Sequence, residues 1–207
     1  MIMMLAAAAV LAAAPAPKGE QVVQIGAVKN VVPIPAGFCL PSGNDIAIFQ
    51  ALAAPDVDNV TLLSLTECRK TAARHYLLVK TPVAALNAEV SRAELLKELG
   101  DAMETPEMSK QLEEVPGEIS KGKTRQAGEP TKVTGEFGPR GRDDVCVYIG
   151  GRATTATASD SQTQALAGCM TAVNGRMISL YAFADSTDAE AYKTLLPQLK
   201  AWAQSIR

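Results

Sequence analysis

The sequence predicts an α+β fold. We expect a single domain whose mostly antiparallel central sheet is covered by helices, an α/β/α sandwich. Three observations carry this expectation. Short β-rich runs alternate with stretches whose apolar residues recur every three or four positions. Several of those stretches open on helix-capping residues. Near the end of the chain, Asn174-Gly175 separates two strand-like runs, Gln164 to Val173 and Arg176 to Ala184, the pattern of a type I′ hairpin.

The chain begins with an apolar segment. Residues 2–14 carry no charge and are almost all Met, Leu, Ala or Val. Such a run is the apolar core of a secretory signal and is too short to span a bilayer, so residues 1–16 are expected to be a signal peptide. Two features depart from the usual pattern. No Lys or Arg precedes the apolar run, and Pro15 or Pro17 directly follows each small-residue cleavage site. An uncleaved tether is the alternative.

Residues 17–207, about 190 residues, are then one domain large enough for a core. The chain is 47% hydrophobic but only 4% aromatic, so Ala, Val and Leu must build much of that core. The net charge of -2 gives no electrostatic reason to expect nucleic acid or an anionic membrane. No later stretch is apolar enough for a membrane span, and the mature form is expected to be a monomer.

Gln21 to Val32 reads as one β-rich stretch. It runs into Val32-Pro33-Ile34-Pro35-Ala36-Gly37-Phe38-Cys39-Leu40-Pro41, whose prolines and glycine forbid regular structure. This is expected to be an extended edge segment that delivers Phe38 and Cys39 to the core. Ser42 and Asp45 form a capping box with Asp in place of Glu, ahead of Ile46, Phe49, Leu52 and Ala53 at helical spacing. Pro55 ends that helix.

Val57 to Leu65 and His75 to Lys80 are strand candidates joined by a basic turn, Arg69 to Arg74. Ser91 and Glu94 make a capping box before Leu95, Leu96 and Leu99. Thr105-Pro106 opens a second helix with proline at its favoured first position, and Pro116-Gly117 closes it. Glu118 to Pro130 is expected to be a mobile loop. Thr131 to Phe137 and Asp144 to Ile149 read as strands around a Gly138-Pro139-Arg140-Gly141 turn, followed by a Thr/Ser/Ala loop from Ala153 to Ser161.

Beyond the hairpin, the strand from Arg176 is apolar on both faces and should be central. Thr187 and Glu190 cap a last helix carrying Tyr192, Leu195, Leu199, Trp202 and Ile206, which Pro197 should kink or divide.

Cys39, Cys68, Cys146 and Cys169 allow three connectivities. If strand 144–149 lies antiparallel beside strand 164–173, Cys146 falls opposite Cys169. Cys39 and Cys68 flank the first helix–strand unit. The expected disulfides are Cys39–Cys68 and Cys146–Cys169, each closing a loop worth roughly 3.5 kcal/mol in the chain-entropy model. No C-x-x-C is present, and with one histidine a zinc site would need an unusual spread of ligands.

Candidate chemistry is sparse. His75, the only histidine, would have to serve any Ser/His/Asp or Cys/His mechanism, but no G-x-S-x-G elbow is present. Asp143-Asp144 would point to opposite faces of a strand. The glycines and arginines of 135–152 lack a P-loop or G-x-G-x-x-G pattern. Residues 86–114 hold eight acidic and three basic side chains, and residues 115–142 hold three acidic and six basic. If those segments face different ways, the surface is dipolar and can steer a partner.

The Ile34-Pro35-Ala36-Gly37-Phe38 segment leads into a helix and strands. The late hairpin runs into Tyr181-Ala182-Phe183 and a capped helix with Trp202 and Ile206. This layout, over most of residues 30–207, resembles that of the Mog1/PsbP-like group, which includes exported bacterial members. The resemblance implies a central antiparallel sheet between helices and a non-catalytic binding or assembly role. It transfers no functional residue and does not include the cysteines.

The resulting expectation is a periplasmic or secreted, disulfide-stabilised, non-enzymatic protein. It needs no cofactor or metal and binds a protein or a cell-envelope component. The alternatives are a small-ligand carrier with a pocket between sheet and helices, and a hydrolase using His75 with Cys68 or a nearby Ser or Asp.

Overall fold

The computed structural model describes residues 19–54, 56–69, 74–127 and 130–207. The expected signal peptide lies outside the described residues. So do Pro55 and residues 70–73 of the basic turn.

The architecture is α+β, with nine strands, four α-helices and a short 3-10 helix (Val83–Ala85) among the described residues. The strands are β1 (Glu20–Ile25), β2 (Val28–Pro33), β3 (Phe38–Cys39), β4 (Asn59–Glu67), β5 (His75–Pro82), β6 (Lys132–Arg142), β7 (Val147–Ala156), β8 (Ser161–Val173) and β9 (Arg176–Asp185). The helices are α1 (Asn44–Ala53), α2 (Arg92–Met103), α3 (Pro106–Ala127) and α4 (Tyr192–Ser205). Strands β3 to β9 form one seven-stranded antiparallel sheet in the order β3-β4-β5-β9-β8-β7-β6. Strand β9 is its middle strand, as its two apolar faces require.

The β8–β9 hairpin turns at Asn174 (φ 51°) and Gly175 (φ 76°). Both central residues have positive φ, the requirement of a type I′ turn. This fixes the register between β8 and β9, in which Cys169 faces Leu180 and Ala167 faces Ala182.

Alternation along the strands assigns the two faces. Leu65, Leu77, Leu180, Ala167 and Cys169 share one face and pack against Leu195, Leu199 and Trp202 of α4. The β1–β2 hairpin covers the same face through Val23, Ile25 and Val32. The Trp202 indole N–H donates to Pro33 O (2.7 Å), and Arg207 pairs with Val31 through both backbone groups. Val147 and Met170 point to the other face, against Leu96 and Met103 of α2, with Met108 and Leu112 of α3 alongside.

Several expectations are corrected. The stretch from Gln21 is a hairpin, broken at Gly26 (φ 57°), rather than one strand. Ser42 does not cap α1; Gly43 holds the cap position and no side chain bonds there. Ser91 does cap α2, accepting from Glu94 N (3.2 Å). Pro116-Gly117 does not end the second helix, which continues as α3 to Ala127 and occupies most of the expected loop. Ser120 and Thr124 explain why it continues. The Ser120 hydroxyl accepts from Val133 N (2.7 Å), and the Thr124 hydroxyl accepts from Thr131 N (3.0 Å). These bonds fasten the helix along the edge of the sheet.

The Gly138-to-Gly141 segment is part of β6, which bulges between Pro139 and Arg142; the chain reverses at 143–146. An edge strand tolerates a proline there. Residues 153–161 are mostly strand, with β7 running to Ala156 and β8 starting at Ser161. Thr187 does not cap α4, and Pro197 sits inside that single continuous helix.

Candidate functional site

Both expected disulfides are formed, Cys39–Cys68 and Cys146–Cys169. The register differs from the one expected for the second pair. Cys169 lies opposite Tyr148, so Cys146, just before β7, reaches it diagonally. Cys68 is therefore no free thiol beside His75, and a Cys68–His75 nucleophile is absent from this structure.

The imidazole of His75 packs edge-on against the Phe38 ring, with centroids 4.9 Å apart. Its Nδ1 lies 3.7 Å from Glu67 Oε1. Burial holds its pKa below the ordinary histidine value, opposed by the Glu67 charge and a hydrogen bond to the Gln198 side chain. The ring is consequently neutral at pH 7.

The other singled-out residues are engaged structurally. Asp143 Oδ1 accepts from Val145 N (2.8 Å) and Cys146 N (2.9 Å). Its Oδ2 accepts from the Tyr148 hydroxyl (2.9 Å) and pairs with Lys200 (2.7 Å). Burial raises the Asp143 pKa, but the Lys200 contact, the two amides and the Tyr148 hydroxyl outweigh it and hold the pKa at about 2. Asp144 reaches only the edge of this cluster, 3.5 Å from Lys200.

The arginines of 135–152 diverge. Arg140 lies over the Tyr192 ring (4.5 Å to the centroid), Arg142 binds Asp101 (2.8 Å) and helix carbonyls of α2, and Arg152 reaches Thr187 O (3.4 Å). They do not converge on an anion. Among the described residues, no three His, Cys, Asp or Glu side chains are grouped to hold a metal ion. No helix among them is long and apolar enough to cross a membrane.

The most distinctive surface was not singled out from the sequence. Helix α1, with the sequence NDIAIFQALA, is apolar on nearly every side, yet none of its residues is buried. Such composition ordinarily belongs to a helix with cover all round. Ile46 and Ile48 are each 48% exposed, Leu40 before the helix is 44% exposed, and Val57 after it is 77% exposed. All four lie on the segment closed by Cys39–Cys68.

Between α1 and the sheet is an open cleft of about 440 Å³. Ile48, Phe49 and Leu52 form one wall, and Thr155, Thr157, Asp160, Gln162 and Gln164 form the other. Tyr76 lies at its floor, stacked on Phe183 (4.6 Å between centroids) and touched edge-on by Phe49 (5.6 Å). Gln162 and Gln164 both donate to Asp185 Oδ1, at 2.6 Å and 3.0 Å. Asp185 Oδ2 in turn accepts from Arg74 N (2.9 Å), so the polar wall is held in place. Burial, with the nearby Asp185 charge, raises the Tyr76 pKa far above the ordinary tyrosine value, so the phenol stays neutral. Asp45, Glu67, Arg74 and His75 also line the cleft, so charged groups stand beside its hydrogen-bonding and apolar ones.

No protein-family model matches this sequence, and the search of curated proteins found no match.

Proposed function

We propose that the protein is an exported, disulfide-stabilised, non-enzymatic binding protein that engages a protein or cell-envelope partner through α1. The observation that carries this reading is an apolar helix with no buried residue, tethered at the sheet edge by a disulfide. An exposed apolar patch of this kind is a mark of an interaction surface. Export is supported by the two disulfides, which persist in oxidising compartments, and by the apolar start of the sequence. A periplasmic monomer with a single three-layered domain, in the style of the Mog1/PsbP-like group, is part of the same reading.

Two measurements test it. A non-reducing peptide map of protein from the periplasm should show cleavage of the leader near residue 16 and both disulfides. Partner capture with the native protein should recover a component that an Ile46→Asn/Ile48→Asn variant loses. An intact leader in cytoplasmic protein, or capture unaffected by the variant, contradicts the reading.

The cleft favours a second reading, a carrier of a small, hydrogen-bonding ligand with an apolar face. Its volume falls within the usual range for ligand pockets. Native mass spectrometry of the protein from its own compartment should then show a bound species that Phe49→Ala releases. Bare protein would count against it.

A further inference from the structure

We propose that Cys39–Cys68 is a thiol-exchange site that a dithiol reductant opens in the folded protein, releasing the α1 segment while Cys146–Cys169 stays closed. The two disulfides sit in opposite surroundings. Cys146 and Cys169 are both 0% exposed and belong to the core between the sheet and α4. A thiolate must reach a sulfur to attack it, so this pair reacts only when the core opens. Cys39 and Cys68 are both exposed, one in the two-residue edge strand β3 and the other directly after β4. An attacking thiolate reaches them with no unfolding.

What the bond restrains is also distinct. Cys146–Cys169 joins elements already locked by the β7–β8 ladder. Cys39–Cys68 closes a ring that holds α1, and no residue of α1 is buried in the core. Phe49 touches Tyr76 edge-on, and Asp56 after the helix pairs with Lys80 (2.5 Å). On the N-terminal side, β3 pairs with β4 at only two positions, and Cys68 N donates to Gly37 O (2.8 Å). Phe38 is buried in the core and keeps β3 attached when the bond is cut.

The exchange balances with a dithiol. One thiolate of the reductant attacks one cysteine sulfur, forming a mixed disulfide and releasing the other sulfur as a thiolate. The second thiol of the reductant displaces the mixed disulfide. Cys39 and Cys68 become two thiols, the reductant becomes a disulfide, and two electrons and two protons pass to the protein. Segment 40–58 then loses its covalent link at the β3 end and keeps the Asp56–Lys80 pair, the Phe49 contact and the bond from Val83 N to Asp58 O. The redox state thus sets how α1 is presented, a consequence that rests on the binding role given to α1; the exchange itself does not.

The test uses the full chain, dithiothreitol and no denaturant. Samples are quenched with N-ethylmaleimide over time and mapped by mass spectrometry, with hydrogen exchange in parallel. Cys39 and Cys68 should be alkylated at least about tenfold faster than Cys146 and Cys169. Exchange should rise over 44–58 and stay unchanged over β8 and β9. Modification of all four cysteines together would overturn the proposal, as would reduction of Cys39–Cys68 with no change over 44–58. A Cys39→Ser/Cys68→Ser variant should keep the protection of β8 and β9; its unfolding throughout would also count against it. No partner is present, so the result stands apart from whether α1 binds one.

Discussion

Asp143 and Asp144 are neighbours in the chain, but the fold uses them differently. Asp143 closes the turn that leads into Cys146, while Asp144 stays largely in solvent. The depressed pKa of Asp143 has a definite sign. A carboxylate held below its unfolded value stabilises the fold above that value and loses the effect as pH falls through the folded one. The contribution of Asp143 is therefore present above about pH 4 and disappears toward pH 2. Asp143→Asn should cost about 1 kcal/mol in urea unfolding at pH 7, discounted for its partial exposure, and almost nothing near pH 2. A penalty equal at both pH values would contradict the assignment.

His75 acts in the same direction for the opposite chemical reason. Its lowered pKa means that the unfolded chain takes up the proton first, so its effect is a loss of stability as pH falls below the unfolded value of about 6.5. Gly175 is a third case. An alanine there would have to hold φ at 76°, with its Cβ 3.3 Å from the Glu89 side chain. Gly175→Ala should lower stability by about 1–2 kcal/mol, measurable by chemical denaturation.

Helix α3 shows at the scale of an element what single-sequence reading misses. Pro116-Gly117 is a strong local stop signal, and a local reading ends the helix there. The helix continues because its next turns meet β6. Ser120 and Thr124 stand one turn apart and present hydroxyls to the outer edge of that strand, satisfying the amides of Val133 and Thr131. Local pattern carries no record of that long-range demand. The acidic-then-basic order of 86–142 has a related explanation. Glu107 lies in the first turn of α3, where the helix dipole favours an acidic group, so part of the acidic run serves one helix. Replacing both hydroxyls, as Ser120→Ala with Thr124→Val, should cost about 2 kcal/mol and favour edge-to-edge aggregation. Unchanged stability and solubility would show that the edge is satisfied in another way.

Helix α1 makes the contrary point. Its apolar spacing is legible, and it does form a helix. The sequence does not reveal that its apolar residues remain uncovered, because periodicity reports a face and not what packs against it. If that face is free of the core, Ile46→Asn and Ile48→Asn should change unfolding stability by less than about 0.5 kcal/mol. A loss of several kcal/mol would mean that the helix is part of the core.

For the molecule as a whole, the legible features were those written locally. The Asn174-Gly175 turn, the Ser91 cap, the central position of β9 and both cysteine pairs can be read from short patterns or from the order of elements. The sheet order, the β1–β2 hairpin on the α4 face and the cleft beside α1 depend on contacts between distant segments. No short pattern encodes Trp202 donating to Pro33 or Arg207 pairing with Val31. The site was harder still to foresee. Binding surfaces of this kind need no fixed motif, only an apolar patch left uncovered. The buried bond should also matter most for the fold as a whole. Removing it by Cys146→Ala/Cys169→Ala should cost about 3 kcal/mol or more, since the loop constraint and core packing are lost together.

The most direct measurement is site-specific photo-crosslinking in living cells, with the crosslinking residue placed at Ile46 or Ile48 and, for comparison, at Glu98 on α2. A discrete adduct is expected from both α1 positions in the periplasmic fraction and none from Glu98. Equal adducts from all three positions, or adducts from Glu98 alone, would contradict the assignment of α1 as the binding face.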